Sequence, residues 1–217
     1  MKNPTHLIYS SILNKSTSEA KINIRDLLRQ VSEFQTDFMK IQVHPLGFLA
    51  LRWDLGEGKV LRIHIWSKAM KVNQNPYWPI HDHIFSFSSL VLFGNVQNKV
   101  YSFRDSVRKS RFVQEFTVNY EEGRSILSPT CTLGELFQIY TAVQPENSYY
   151  SLESGILHRS ILRSDFAVTA LATQQSTVFN KPKVIGLAAD SSDKVFDRTV
   201  SSIYQVMPFI KKAISVL

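Results

Sequence analysis

His81-Asp82-His83-Ile84-Phe85-Ser86-Phe87-Ser88-Ser89-Leu90-Val91-Leu92-Phe93-Gly94 is the stretch on which both the fold and the chemistry turn; it follows directly on Asn75-Pro76-Tyr77-Trp78-Pro79. In an extended strand residues i and i+2 point to the same side, so the imidazoles of His81 and His83 can enter one interior. Imidazole suits borderline divalent metals such as iron, nickel, copper and zinc, and a facial set of nitrogen donors leaves coordination positions free. For an isolated His-x-His the plainer alternative is a pair of structural histidines hydrogen-bonded in a loop. A third ligand has to come from a distant strand, and His158 in Gly155-Ile156-Leu157-His158-Arg159 is the best placed.

Working outward, the middle of the chain is a series of short runs rich in β-branched and aromatic residues. They are Phe48–Asp54, Lys59–Trp66, Ser86–Phe93, Val96–Phe103, Arg111–Tyr120, Ser125–Cys131, Leu136–Val143, Ser148–Leu152, Ile156–Leu162 and Phe166–Thr173. Turn signals such as Gly56-Glu57-Gly58, Gly94-Asn95 and Glu121-Glu122-Gly123 divide several of them. Short strands at regular spacing, with no helical segment between them, predict a mainly β antiparallel sandwich or barrel and not a parallel βαβ plan. Around this core, about residues 45–178, the pattern changes. Ile24, Leu27, Leu28, Val31, Phe34 and Phe38 repeat near every 3.6 residues, which predicts an amphipathic helix over about 18–40. Val195, Phe196, Val200, Ile203, Tyr204, Met207, Ile210 and Ile214 predict another over about 192–216, bent or interrupted at Pro208. The first twenty residues, rich in Ser, Asn and Lys, read as weakly ordered. The whole is expected to form one domain, 1–217.

Composition narrows the function classes. The chain has 217 residues, 44% of them hydrophobic, enough to bury a core without staples. A single cysteine forbids an internal disulfide and a cysteine-rich zinc site, and fits a reducing cytoplasm. No apolar run approaches a membrane span, and the N-terminus lacks the apolar region of a signal peptide, so a cytoplasmic protein is expected. The net charge of +7 raises nucleic acid as a partner, but the basic residues are spread. Only Arg104, Arg108, Lys109 and Arg111 cluster, at a hairpin connection, where solvation is the ordinary outcome. Nucleic acid and membrane are therefore not expected partners.

The segment from His81 to Gly94 resembles the first motif of the cupin superfamily, with both histidines and the glycine at the family spacing; Gly155 followed by His158 resembles the second motif. The resemblance implies a double-stranded β-helix barrel with helical flanks and a metal held by His81, His83 and His158. Phe87 occupies the family's acidic ligand position, and Glu153 and Leu162 replace its usual proline and asparagine. It therefore implies a three-histidine site without the carboxylate. Asp82 is expected to point to the opposite face, holding a neighbouring loop or orienting a histidine. Within cupins, three-histidine iron centres resemble the thiol dioxygenases such as cysteine dioxygenase, and Arg52 resembles by position their substrate-carboxylate arginine. Their Ser-x-His-x-Tyr pattern is missing: the strand reads Thr169-Ala170-Leu171-Ala172-Thr173. No cysteine lies near Phe87 or Ser88 for a cysteine–tyrosine cross-link.

What the resemblance implies is a mononuclear non-haem iron(II) oxygenase acting on a small thiol- or amino-acid-like molecule bound to the metal, with dioxygen as co-substrate. Fe(2+) is the expected metal, with Zn, Ni, Mn and Cu also open. Arg52 would anchor an acidic group, or simply pair with Asp54 or Glu57 at the surface. Tyr149 joins Arg52 as a catalytic candidate; with Tyr77, Trp78 and Tyr150 it either walls a pocket or packs. His64 shares a strand face with Val60, Arg62 and Trp66 and reads as a core histidine or a barrel-lining one. His6 and His44 have no legible partners, and Cys131 reads as a small core residue. Two other functions stay open: a non-redox cupin isomerase, cyclase or lyase using the metal as a Lewis acid, and a non-enzymatic module holding a small ligand. A homodimer is compatible with either.

Overall fold

The computed structural model describes residues 3–34, 39–70, 74–105, 113–121, 123–175, 181–187, 192–198 and 203–217. The chain begins with helix α1, Pro4–Leu13, and this corrects the expectation of a weakly ordered start. Pro4 is preset for a first helical turn, and the Asn3 side chain accepts a hydrogen bond from the Thr5 amide. Ile8, Tyr9 and Ile12 give the helix its buried side. Helix α2, Thr17–Ser32, buries Ala20, Ile24, Leu27, Leu28 and Val31, the stripe legible in the sequence. It ends before Phe34, which is exposed with a positive φ of 59°. Phe38 lies outside the described residues, as do Arg108, Lys109, Arg111 and Val200.

Thirteen strands follow among the described residues. The first three are β1 Met39–His44, β2 Phe48–Asp54 and β3 Lys59–Ser67, followed by the two-residue β4, Ile80–His81. Next come β5 Phe85–Phe93, β6 Val96–Asp105, β7 Val113–Glu121 and β8 Arg124–Gln144. The last five are β9 Tyr149–Leu152, β10 His158–Leu162, β11 Phe166–Gln175, β12 Lys183–Leu187 and β13 Lys194–Asp197. Helix α3, Ile203–Val216, closes the chain. The two runs expected over 125–131 and 136–143 are one long strand, β8. Strands β1 and β13 fall where the helical flanks were expected to extend. The C-terminal helix is therefore shorter than its apolar pattern suggests, and Val195 and Phe196 belong to a strand. It also runs through Pro208 without interruption, because Pro208 is its sixth residue and is exposed, so the displaced carbonyl meets solvent.

The strands form two antiparallel sheets, ordered β1-β2-β3-β11-β5-β9 and β13-β8-β6-β10-β4-β12-β7. The second curls on itself, because the first half of β8 pairs with β7 and the second half with β6. This mainly β, double-sheet architecture with helical flanks is the barrel expected from the sequence. In the first sheet the alternation of side chains divides the labour. Leu49, Leu51 and Trp53 on β2, with Leu61, Ile63 and Ile65 on β3, pack outward against the three helices in one large apolar cluster. Their neighbours Phe48, Ala50 and Arg52, and Arg62, His64 and Trp66, face the other way, toward the second sheet. A smaller cluster of Trp78, Phe116, Val118, Leu127, Val184 and Phe196 fills the second sheet's interior. Gly94 makes the turn out of β5 at φ +77°, and a Cβ there would collide with the Phe166 carbonyl oxygen, so no other residue fits without a shift.

Candidate metal centre

His81 ends β4 and pairs in register with His158 at the start of β10; on its other side it pairs with Val184 of β12. A strand of two residues thus carries one ligand between two neighbours. His83 lies two residues on, and its carbonyl accepts the Gly155 amide at 2.8 Å and the Ser154 hydroxyl at 3.3 Å. Gly155, at φ +79°, turns the chain from β9 into His158, as the second motif requires. The result is a triangle of imidazoles with ring centroids 4.7 Å (His81–His158), 4.8 Å (His81–His83) and 5.0 Å (His83–His158) apart. Their donor nitrogens all lie within 4.8 Å of one another. Metal–nitrogen bonds of about 2.0–2.1 Å would draw these atoms closer, to about 3.5 Å or less.

The backbone prepares two of these rings. The Nδ1 of His81 is 3.0 Å from the Pro79 carbonyl, and that of His158 is 3.0 Å from the Ile156 carbonyl. A carbonyl only accepts, so each Nδ1 carries the proton and each Nε2 keeps its lone pair. Burial lowers the pKa of all three histidines; His83 is pushed well below its ordinary value, with the neighbouring rings adding to the effect, and His158 falls to about 3. All three are neutral donors at physiological pH. The residues present therefore fit a divalent cation, with three neutral nitrogens and no carboxylate among them. Asp82 behaves as expected: it is buried on the opposite side, and its carboxylate accepts the Lys183 amide at 2.6 Å while its own amide donates to the Lys183 carbonyl. It fastens β12 to the ligand strand, and burial raises its pKa.

The walls of the site are aromatic. Phe87 is only 6% exposed, with its ring 6.0 Å from His83 and 6.1 Å from His158. It stands beside the centre, where the sequence motif has its acidic ligand. Phe85 stacks on His83 at 4.6 Å with an interplanar angle of 12°, and the Arg62 guanidinium lies 4.5 Å from the Phe85 centroid. A cleft of about 360 Å³ borders His83, lined by Tyr101, Glu115 and Ser154 among others. A smaller cavity, about 50 Å³, borders His81 and is lined by His44, Gln74, Trp78 and Arg198.

The other candidates divide. Arg52 faces the barrel interior but sits at its rim, 42% exposed, with Nη2 3.9 Å from Asp54. Its neighbour across the strand, Arg62, reaches the aromatic stack beside His83. Tyr149 points away from the histidines: its hydroxyl shares a 3.1 Å hydrogen bond with Thr17 of α2, and its ring packs on the helix-side core. The tyrosine on the site's side is Tyr150, whose ring meets Phe87 at 5.9 Å and which pairs in register with Ser89 of β5. Adjacent strand residues face opposite sides, so a choice between Tyr149 and Tyr150 needs the register. The sequence reading named Tyr150 as a pocket wall or a packing residue but gave Arg62 and Phe85 no role at the site; the shared face of Val60, Arg62, His64 and Trp66 was the available signal for the arginine. His44 stacks on Phe48 at 4.3 Å and accepts the Leu46 amide on Nδ1. His64 lies 4.8 Å from Phe48, and burial, helped by the Arg62 charge, lowers its pKa to about 3. Cys131 is exposed on β8, not buried as expected. His6 is exposed on α1.

No protein-family model matches the chain, and no curated protein matches it. Among solved structures, the chain is similar to hydroxypropylphosphonic acid epoxidase from S. wedmorenis, at 10% identity and a TM-score of 0.37, covering 62% of this chain and 54% of that one. It thus spans about half the length of the epoxidase. Hydroquinone 1,2-dioxygenase, in complex with Cd2+ and 4-hydroxybenzonitrile, aligns at 12% identity and a TM-score of 0.36, covering 69% and 72% of the two chains. Vicilin from Corylus avellana (hazelnut) aligns at 9% identity and a TM-score of 0.31, covering 74% and 35%.

Proposed function

We propose that this protein is a mononuclear metal-dependent oxygenase of the cupin type, with a divalent metal, iron(II) first, held by His81, His83 and His158. The observation that carries the reading is the convergence of three imidazoles with donor nitrogens within 4.8 Å of one another, two of them with Nδ1 committed to a backbone carbonyl so that Nε2 keeps its lone pair. Iron(II) held there would supply electrons to dioxygen and coordination positions for a small thiol- or amino-acid-like substrate. The protein's own contribution is enclosure and orientation. Phe85 and Phe87 exclude water from one side of the histidines. Asp82 holds β4 to β12 so that His81 keeps its place. Tyr150 stays protonated, since burial raises its pKa, and it offers a phenolic proton behind Phe87. Arg52 and Arg62 supply cationic anchors on the interior face of β2 and β3. The Thr169 hydroxyl accepts the Trp66 indole at 3.2 Å, so it is committed to the core.

Elemental analysis of protein purified without added metal tests the reading. About one equivalent of metal is expected, falling to background in His81→Ala, His83→Ala and His158→Ala, and less than about 0.1 equivalent in the wild type would favour a metal-free binding module. Oxygen uptake by the iron-loaded protein with candidate thiols and amino acids then separates an oxygenase from a Lewis-acid enzyme. Loss of uptake in the ligand variants and its presence in the wild type are the expected results.

A further inference from the structure

Three cations stand in one cross-strand row on the interior face of the first sheet. Lys40 of β1 pairs with Arg52 of β2, and Arg52 pairs with Arg62 of β3. Residues in register across antiparallel strands share a face, and like charges placed directly opposite one another are unfavourable. Little on the protein offsets this. Asp54 reaches Arg52 only at 3.9 Å and is itself 69% exposed, a pair of small value. Among the described residues no carboxylate pairs with Lys40, Arg62 or Arg198.

From the second sheet, Arg198 follows β13, and its guanidinium lies 5.1 Å from the Tyr120 ring centroid. The Nε atoms of Arg62 and Arg198 are both buried and lack a hydrogen-bond acceptor. Arg198 also lines the small cavity bordered by His44 and His81, on the side of the barrel toward which Arg62 faces, and the charges of Arg52 and Arg198 both act on Arg62. Burial is the main cause that brings the Arg62 pKa down to about 10, which leaves it a cation. The histidines around it are neutral. Leaving a buried donor unpaired is costly, and the planar fork of a guanidinium matches an oxyanion that accepts two parallel hydrogen bonds.

We infer that Arg62 and Arg198, backed by Arg52 and Lys40, form a binding site for a multiply charged oxyanion, either a phosphoryl group or paired carboxylates. Because the Arg62 guanidinium stacks on Phe85 and Phe85 stacks on His83, an anion held there places the rest of its molecule beside the three histidines. The substrate of the proposed oxygenase is then a small polyanion. That last step rests on the metal-centre reading, whereas the anion site itself does not.

The test is calorimetric titration of the full-length, metal-stripped protein with inorganic phosphate and, separately, malonate, at mildly alkaline pH and constant ionic strength, with chloride as control. Saturable binding of phosphate, malonate or both supports the site, and the stronger of the two names the anion class. Arg62→Gln and Arg198→Gln should each weaken it about tenfold or more, and Arg62→Lys, which keeps the charge but not the fork, should weaken it too. If a glutamine variant does not fold, the lysine variant and the rise of wild-type melting temperature with phosphate carry the test. Binding of neither probe by the wild type, or equal affinity in the wild type and the folded Arg62 and Arg198 variants, overturns the inference. A protein that binds metal but neither probe refutes the anion site and leaves the proposed function standing. One that binds phosphate but holds no metal does the reverse.

Discussion

Replacing Phe87 with glutamate asks whether this side chain truly occupies the place of a fourth ligand. Two effects oppose each other. The ring is 6% exposed and fills the space between His83, His158 and Tyr150, so exchanging it for a thinner chain costs about 2–3 kcal/mol of packing. Without metal the new carboxylate has only neutral imidazoles near it. It takes up a proton, and a poorly paired buried acid adds about 1–3 kcal/mol. The metal-free variant should therefore lose on the order of 3–6 kcal/mol, a large part of a typical domain's stability. With a divalent cation present the carboxylate ionises and binds it. An affinity gain of about a hundredfold returns about 2.7 kcal/mol under conditions where metal was already saturating. The assay is denaturant unfolding in chelator and in excess zinc, with zinc affinity measured by competition. Phe87→Gln supplies the same packing loss without an anion and should show no affinity gain. Equal destabilisation with and without metal, and no tighter binding in the glutamate variant, would refute the placement of Phe87 beside the centre.

Three further outcomes follow from particular contacts. Asp82→Ala removes the acceptor of the Lys183 amide and should lower stability by about 1–3 kcal/mol while weakening metal binding, with Asp82→Asn milder on both counts in unfolding and metal-competition experiments. Below the unfolded histidine value of 6.5, the unfolded chain binds protons that His64 and His158 refuse until about pH 3, so stability should fall as pH falls through that window. In metal-free protein, His64→Gln should reduce that dependence by up to about 1.4 kcal/mol per pH unit, and an unchanged slope would show that His64 is not buried in neutral form. Gly94→Ala places a methyl group against the Phe166 carbonyl at a positive φ and should lower the melting temperature sharply, whereas Gly56→Ala, whose added methyl meets nothing within 4 Å, should be milder.

How much of this was legible in the sequence depended on the range of the signal. Alternation is local, so the strands from Phe48 to Thr173 and the shared side of His81 and His83 could be read directly. Gly155 marked the turn that delivers His158. Helix α1 was hidden because its apolar residues, Leu7, Ile8, Tyr9, Ile12 and Leu13, are spread around the helix instead of forming one stripe, and because Asn3 caps it instead of breaking it. Strand β13 was hidden because Val195 and Phe196 continue the helical spacing of α3, while its pairing with β8 is a contact distant in sequence. The site's second layer was least legible. Arg52 and Arg62 lie on one face of neighbouring strands, and only the antiparallel register puts them side by side, with Arg62 nearer the histidines. Tyr149 and Tyr150 are adjacent, and helix α2, 132 residues earlier in the chain at the contact, claims the first.

The helices bear on the chemistry through that same alternation. Because α1, α2 and α3 cover the outward face of the first sheet, that face supplies the large apolar cluster, and the inward face is released from the task. The inward face can then hold residues that a two-layer β core would exclude, among them His64, Arg52, Arg62, Ser89 and Tyr150. Sheet, helices and site are therefore coupled. A substitution that loosens the helix packing, such as Leu28→Ala at a fully buried position, costs about 2–5 kcal/mol. It also frees the sheet on which Arg62 and Phe87 are mounted. Anion affinity in that variant should drop further than metal affinity, because His81, His83 and His158 are carried by β4, its following loop and β10, which are tied to the second sheet. Equal losses in both affinities, measured by titration at a temperature where the variant is fully folded, would show that the two sheets move as one unit.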